Sequence, residues 1–400
     1  MTALYLIDDE VARGFMPFAL TRPASELRAG AMLIRQRWER VLGLATSGLV
    51  VAPHLRDFEE PSAPPVASET IPAGSVVANA RCVVSLDWSG ADADVWICDG
   101  RVAAVRIDRA LPAEAFDRDG LTLDQLRGDS PRTAPVPGRW IAAVWDLIST
   151  LAVQLAEDIG QLGPPMSCLT PEAAAVMGQH PIYLEDGATV EPYVVLDAAA
   201  GPILVRAGAV IRSFTRLVGP CVVDGGTTIL GDRVSGCSIG AGCMIRGEIS
   251  ETIVIGNANK AHEGFVGHSI LGRWVNLGAG TTTSNLKNTY GSVSLATAAG
   301  MRDTTQTKLG SFLGDHVKTG IGLRLTTGTV IGAGSSIHGA AMPPKNVPPF
   351  SWGDGVDLGC YEIDKFLKTA ERAMGRRGVQ LGERARRQLA AAHALGRGVS

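Results

Sequence analysis

The sequence predicts a two-domain chain, an α/β domain followed by a parallel β-helix, with a helical tail. Three observations carry that prediction. Residues 1–135 alternate short apolar runs with helix-permissive stretches, as an α/β domain does. From about residue 185 to 345 the aliphatic residues recur every six positions. Beyond Pro349 the pattern turns helical again. The chain has 400 residues, 46% of them hydrophobic and 19% charged, enough apolar material for two or three cores.

In the first domain, Ala3–Ile7 is an apolar run closed by Asp8-Asp9, the pattern of a buried strand. Ala24–Leu44 is helix-permissive, with Leu27, Met32, Leu33 and Trp38 near helical spacing. Further strands are expected at Leu49–Ala52, Val83-Val84 and Val95–Ile97. The proline-bearing segment Asp129–Gly138 reads as a linker. Within a connecting region at 136–184, Trp140–Leu162 carries Trp145, Leu147, Ile148, Leu151, Val153, Leu155 and Ile159, and reads as one amphipathic helix.

The six-residue beat follows. Val205, Ile211, Leu217, Val223 and Ile229 keep it without a break; Ile239 and Ile245, Leu271 and Leu277, then Leu325, Ile331 and Ile337 resume it. A period of six suits neither an amphipathic helix nor a two-faced sheet. It suits a coil of three hexads, each forming one side, with the repeated aliphatic pointing inward. Asn257–His268 and Thr281–Thr307 break the beat and are expected to leave the coil as loops, where function commonly sits. In the tail at 346–400, Glu371–Ser400 holds seven arginines against two acids. It reads as a solvated basic helix face, or as a tail facing phosphate or nucleotide.

Composition narrows the function classes. A net charge of −3 gives no reason to expect nucleic acid or an anionic membrane surface. No run of eighteen apolar residues marks a membrane span, and Met1–Glu10 carries three acids and no base, unlike a secretory signal. The seven cysteines form no CxxC pair and read as buried, reduced thiols of a cytoplasmic protein. All seven lysines lie at or after Lys260, while arginines run throughout.

Two runs in the solenoid bring a family into view: Asn259-Lys260-Ala261-His262-Glu263-Gly264-Phe265-Val266-Gly267 and Trp274-Val275-Asn276-Leu277-Gly278-Ala279-Gly280-Thr281. They resemble the acetyltransferase half of the bifunctional UDP-N-acetylglucosamine pyrophosphorylase/glucosamine-1-phosphate N-acetyltransferases. The closer resemblance is to an alternative bacterial branch of that family, a group of sugar nucleotidyltransferases. It rests on Thr21-Arg22-Pro23, Glu26–Gly30, Trp145-Asp146-Leu147, Ser284–Asn288 and Phe350–Gly353, and spans almost the whole chain. The resemblance implies a left-handed parallel β-helix that trimerises, with acetyl-CoA bound in clefts between subunits.

The resemblance also implies roles. His262 matches the catalytic base, and an imidazole is suited to taking a proton from an amine near pH 7. Asn276 matches a sugar-contacting asparagine, Asn285 a residue near the acceptor amine, and Ala279 a site where acyl-CoA lies against the coil. Phe265 stands where the family often has tyrosine, keeping a stacking surface without the hydroxyl. The family's phosphate-gripping lysine is missing from its usual place near Gly291; Lys287 is the substitute, with Lys260 and Arg246 behind it. Asp315 replaces a serine set against the thioester, while Gly332 and Ala333 remain candidates to line acetyl-CoA. His262, His268, His316 and His338 show no metal-ligand spacing, which argues against a zinc hydratase.

For nucleotidyl transfer in residues 1–135 the chain has no glycine-rich loop after Leu6–Glu10 and no lysine before Lys260, which excludes a lysine-based site there. Arg22 and Arg28 are the candidate phosphate grips, and Asp8 or Asp9 the candidate Mg2+ ligand. The alternative for Thr21-Arg22-Pro23 is a helix start whose arginines pair with Glu26. The resemblance thus implies acetyl-CoA-dependent N-acetylation of an amino-sugar 1-phosphate by a homotrimer, together with uridylyl or thymidylyl transfer. Two alternatives stand beside it: a nucleotidyltransferase whose solenoid only oligomerises it, and a non-enzymatic scaffold or ligand-sensing trimer.

Overall fold

The computed structural model describes residues 2–117, 120–128, 131–163 and 174–398. It divides into two units. One comprises residues 1–146 with 382–395, and the other residues 147–381 with 396–400. The linker expected at Asp129–Gly138 lies partly outside the described residues, and Thr133–Pro135 within it is a strand.

The first unit is built on a six-stranded sheet. Its order is Thr133–Pro135, Val95–Cys98, Arg101–Arg106, Val76–Asn79, Leu4–Ile7, Thr46–Val50. Leu4–Ile7 pairs parallel with strands on both sides and is central in the sheet; Leu4, Leu6 and Ile7 are buried and Tyr5 half-buried, in keeping with a run of apolar residues. Helix prediction over Ala24–Leu44 is corrected. Glycine at Gly30, with φ +63°, turns the chain into a hairpin of Arg28-Ala29 and Met32-Leu33, and the α-helix spans only Ile34–Leu42. Gly43, at φ +64°, then ends that helix. A C-terminal stretch, Gly382–Leu395, belongs to this unit, where the Arg387 guanidinium grips the Asp57 carboxylate at 2.8 Å and Gln388 donates to the Thr21 carbonyl.

The second unit opens with helices Asp146–Ser149 and Leu151–Leu162, so the single helix expected from Trp140 begins later and in two pieces. The parallel solenoid then starts at Ala175, ahead of the predicted residue 185, and runs through Ser351–Gly353. Its first face stacks six strands from Ala175–Gly178 to Phe265–Gly267. Its second face stacks nine, from Ile182–Leu184 to Asn346-Val347. The third face runs from Thr189-Val190 to Ser351–Gly353, after which Leu358–Cys360 folds back antiparallel. Every aliphatic of the six-residue beat lies in one core cluster, each at most 2% exposed. Outside, charges of opposite sign stack between coils, as Arg206 does between Glu185 and Asp224.

The two breaks in the beat have different outcomes. Asn257–His268 stays in the coil, with Asn259-Lys260 on the third face and Phe265–Gly267 on the first. Only residues 286–308 leave it, carrying the hairpin Ser294–Thr297/Gly300–Asp303. Five cysteines are buried as expected, but Cys360 is exposed, and Cys168 lies outside the described residues. Helix Ile363–Gly375 packs Phe366 against His316, Phe350 and Tyr361, sealing one corner column of the solenoid.

Candidate active site

His262 sits at the corner between the third and first faces, exposed and at the head of Phe265–Gly267. The corner is held from beneath. Lys260, only 1% exposed, turns its ammonium under the chain. It donates to the carbonyls of Arg246 (3.1 Å), Glu263 (3.0 Å) and His262 itself. Burial pulls the Lys260 pKa down to about 8. Lys260 is therefore corrected from a phosphate grip to the support of the His262 turn. On the next coil the Gly280 N–H donates to the Glu263 carbonyl at 3.1 Å, tying that turn to Gly278-Ala279-Gly280. Gly264, at φ +122°, passes so close to Thr281 that a Cβ would lie 2.2 Å from its carbonyl oxygen.

On the third face, outward-pointing residues stack in register: Asn259, Asn276, Lys318, Ser336 and Trp352. The Asn259 amide donates to Asn276 Oδ1 at 3.0 Å. Lys318, half-buried over Asn276, is a cation that the sequence reading missed. Burial lowers its pKa to about 8. Its signal in the sequence is Lys318-Thr319 standing before Gly320 as Asn276-Leu277 stands before Gly278, hidden by the excursion between them.

At the far end of Phe265–Gly267 the chain assembles a second group. The Phe265 ring folds over Gly267, where a Cβ would meet it at 2.4 Å. The Asn285 carboxamide lies against the same glycine and donates to His268 Nδ1 at 2.9 Å. His268 Nε2 faces the Glu251 carboxylate at 3.1 Å, and that contact holds the Glu251 pKa below the usual range. Lys287 stands in the excursion, half-buried, with its ammonium on the Ser292 carbonyl. Arg246 is half exposed and pairs with Asp232 at 3.2 Å. Asp315 accepts from the Arg273 N–H at 2.7 Å and caps its coil.

Gly332 and Ala333 are not surface residues. Ala333 is fully buried, and a Cβ at Gly332 would touch Pro349 N at 2.4 Å. The chain at Pro349-Phe350 covers that corner, so neither residue lines a ligand here. A cleft of about 370 Å³ opens instead beside Trp352, lined by Tyr361, Glu362, Lys365, Lys368, Thr369 and Arg372. Lys365, Lys368 and Arg372, at i, i+3 and i+7, share one helix face.

In the first unit the four proposed nucleotide ligands are turned inward. Both Asp8 oxygens accept from the Ala24 N–H, and burial pushes its pKa up to about 7. Asp9 caps the helix Glu10–Arg13 and is gripped by Arg81 at 2.7 Å and by Asn79. Arg22 pairs with Glu60 at 2.7 Å, not with Glu26, whose partner is Arg35 at 2.5 Å. Arg28, 3% exposed, donates to the Ala31 carbonyl. A carboxylate committed to a backbone N–H and raised toward neutrality, beside one bound by an arginine, does not suit Mg2+. No group of three His, Cys, Asp or Glu side chains arranged to hold a metal occurs among the described residues.

Comparison with known proteins gives a family match over part of the chain. Residues 4–163 match the sugar nucleotidyl transferase family. Among individual relatives, the bifunctional sugar-1-phosphate nucleotidylyltransferase/acetyltransferase of Sulfurisphaera tokodaii is 32% identical over 100 residues, 25% of each chain. The bifunctional protein GlmU of Methanococcus vannielii is 34% identical over 100 residues, 25% of this chain and 24% of that one. The chain thus spans about a quarter of the length of the curated relatives it matches. Among solved structures, an N-acyltransferase of Bacillus cereus, AntD, overlays with a TM-score of 0.21 at 14% identity, over 49% of this chain and 92% of that one. The resemblance carried by the sequence motifs therefore stands, with the sugar nucleotidyl transferase match over residues 4–163 and the β-solenoid from Ala175 onward.

Proposed function

We propose that the solenoid transfers an acetyl group from acetyl-CoA to the amine of an amino-sugar 1-phosphate, with His262 as the base. The observation that carries this reading is the His262 corner. The imidazole is exposed on a turn whose carbonyls are fixed by a buried ammonium, so a proton acceptor is presented on a rigid support. Asn276 and Lys318, in register beside that corner, supply a carboxamide and a cation for the sugar phosphate. The Sulfurisphaera tokodaii relative, whose name includes acetyltransferase, supports the same chemistry.

The nucleotide end of acetyl-CoA fits the cleft at Trp352, which offers an aromatic face and three cations. Trp352 lies three coil steps from Asn276 on the same face, about 14 Å at the usual strand spacing. A chain as long as the pantetheine arm would bridge them.

His262 and Asn285 stand at opposite corners of the first face, on the order of 15 Å of extended chain apart. Set at opposite ends of one face, the two side chains converge on one amine most directly from neighbouring chains. A homotrimer, in which a neighbour's Asn285 faces His262, completes the site. Nucleotidyl transfer from UTP or dTTP by the first unit is the second reading, favoured by the family match over residues 4–163, with ligands other than Asp8, Asp9, Arg22 and Arg28.

The test is thiol release from acetyl-CoA with a panel of amino-sugar 1-phosphates, wild type beside His262→Ala, with assembly checked for both. Turnover lost only in the variant supports the reading. A folded wild type without turnover overturns it, and pyrophosphate release from a nucleoside triphosphate would then favour the first unit.

A further inference from the structure

The histidine at 268 is not used by the chemistry above, yet its ring is bound on both sides. A carboxylate only accepts hydrogen bonds, so the Glu251 contact at 3.1 Å requires the proton on His268 Nε2. The partner of Nδ1 at 2.9 Å is the Asn285 Nδ2, an NH2 that can only donate, so Nδ1 carries the lone pair and Nε2 holds the ring's one proton. With the NH2 facing His268, the side-chain carbonyl oxygen of Asn285 is directed to the other side of the carboxamide. The backbone fixes the ring as well: the His268 N–H donates to the Ser250 carbonyl at 2.9 Å, and the Gly310 N–H donates to the His268 carbonyl at 2.8 Å. Asn285 is held in turn through its backbone carbonyl, which accepts from the Leu309 N–H at 2.9 Å where the excursion returns, leaving the side-chain oxygen free of that bond. The surrounding charges are Glu251 and, near it, Lys308.

We propose that His268 is a positioning residue, its tautomer set by Glu251, that keeps the Asn285 carbonyl oxygen facing the acceptor amine. The inference rests on the acetyltransferase reading. An amine attacking a thioester must direct its lone pair at carbon while its N–H bonds find acceptors, and a carboxamide oxygen accepts where an NH2 would repel. Swapping the two ends of the amide exchanges an attraction for a clash at the same place. The relay thus acts on the acceptor amine and leaves the acyl-CoA contacts alone.

Glu251→Gln keeps the shape but offers an NH2 as well as an oxygen, which frees the tautomer and with it the amide. The expected result is a fall of about tenfold in kcat/KM for the amino sugar, the worth of one hydrogen bond, with KM for acetyl-CoA unchanged. Because His268 acts through Asn285, His268→Ala made in an Asn285→Ala background adds no further loss. Histidine 15N chemical shifts of the assembled wild type, read by solid-state NMR, are expected to show His268 protonated at Nε2 alone, and in Glu251→Gln a mixture. Independent, multiplying losses from the two alanine variants overturn the proposal, as does an Nδ1-protonated His268 in the wild type. The NMR result does not need turnover, so a wild type without acetyl transfer defeats the functional reading while His268 is still tested.

Discussion

Replacing Lys260 by methionine keeps most of the side-chain volume and removes the ammonium beneath the His262 turn. Three carbonyls, of Arg246, His262 and Glu263, then lose their donor. The charge also has a cost. The pKa is depressed from 10.5 to about 8 by burial, which corresponds to about 3 kcal/mol at 1.36 kcal/mol per unit. Below pH 8 the lysine is protonated in both the folded and the unfolded chain, and that cost is fully present. Between pH 8 and 10.5 the folded state sheds its proton first, so the unfolded state binds more protons and stability rises with pH. Methionine has no such gain. The stability of wild type relative to Lys260→Met is therefore expected to grow by about 3 kcal/mol from pH 7.5 to 10.5, read from the solenoid's transition in urea. Acetyl transfer is expected to fall roughly a hundredfold if the turn relaxes by about 1 Å. Parallel stability profiles across that pH range, or full activity in the variant, would refute the assignment of Lys260 as the buried support.

Three further outcomes follow from other parts of the molecule. Asp8 has its pKa raised to about 7 in the folded state, so its contribution falls as pH rises from about 4 to 7; Asp8→Asn, measured by thermal unfolding, should lose ground to wild type at low pH and regain it toward neutrality. Leu217→Ala, in a fully buried position of the coil core, is expected to cost 2–5 kcal/mol, the range for such truncations, by denaturant titration. Lys368→Glu in the Trp352 cleft should raise KM for acetyl-CoA several-fold, leave KM for the amino sugar unchanged, and weaken the salt dependence of acetyl-CoA binding.

The solenoid was legible because its signal is one-dimensional. Each aliphatic from Val205 to Ile229 has the same job on successive faces, and a fixed period reports it directly. The excursion was legible as a break, but Asn257–His268 was misread as one, because Lys260 occupies the coil position between Val254 and Val266 where the beat expects an aliphatic. A buried lysine at such a position is a tertiary fact: only the three carbonyls around it explain it. The same limit applies in the first unit. Arg22 and Arg28 look like anion grips in sequence, since nothing local shows that Glu60 and the Ala31 carbonyl occupy them. Gly332 and Ala333 carry the small residues of a ligand-lining corner, yet Pro349-Phe350 returns to cover them. Lys318 and His268 were missed as site residues because their partners, Asn276 and Asn285, lie 42 and 17 positions away.

The central claim is that His262 of one copy and Asn285 of another act on the same amine. It is tested by mixing two variants of strongly reduced but measurable activity, His262→Ala and Asn285→Ala, under conditions that exchange subunits, and measuring thiol release from acetyl-CoA. In mixed assemblies some sites combine an intact His262 with an intact Asn285, and activity is expected to return to a substantial fraction of wild type. No recovery from mixtures shown to contain hybrid assemblies would contradict the shared site.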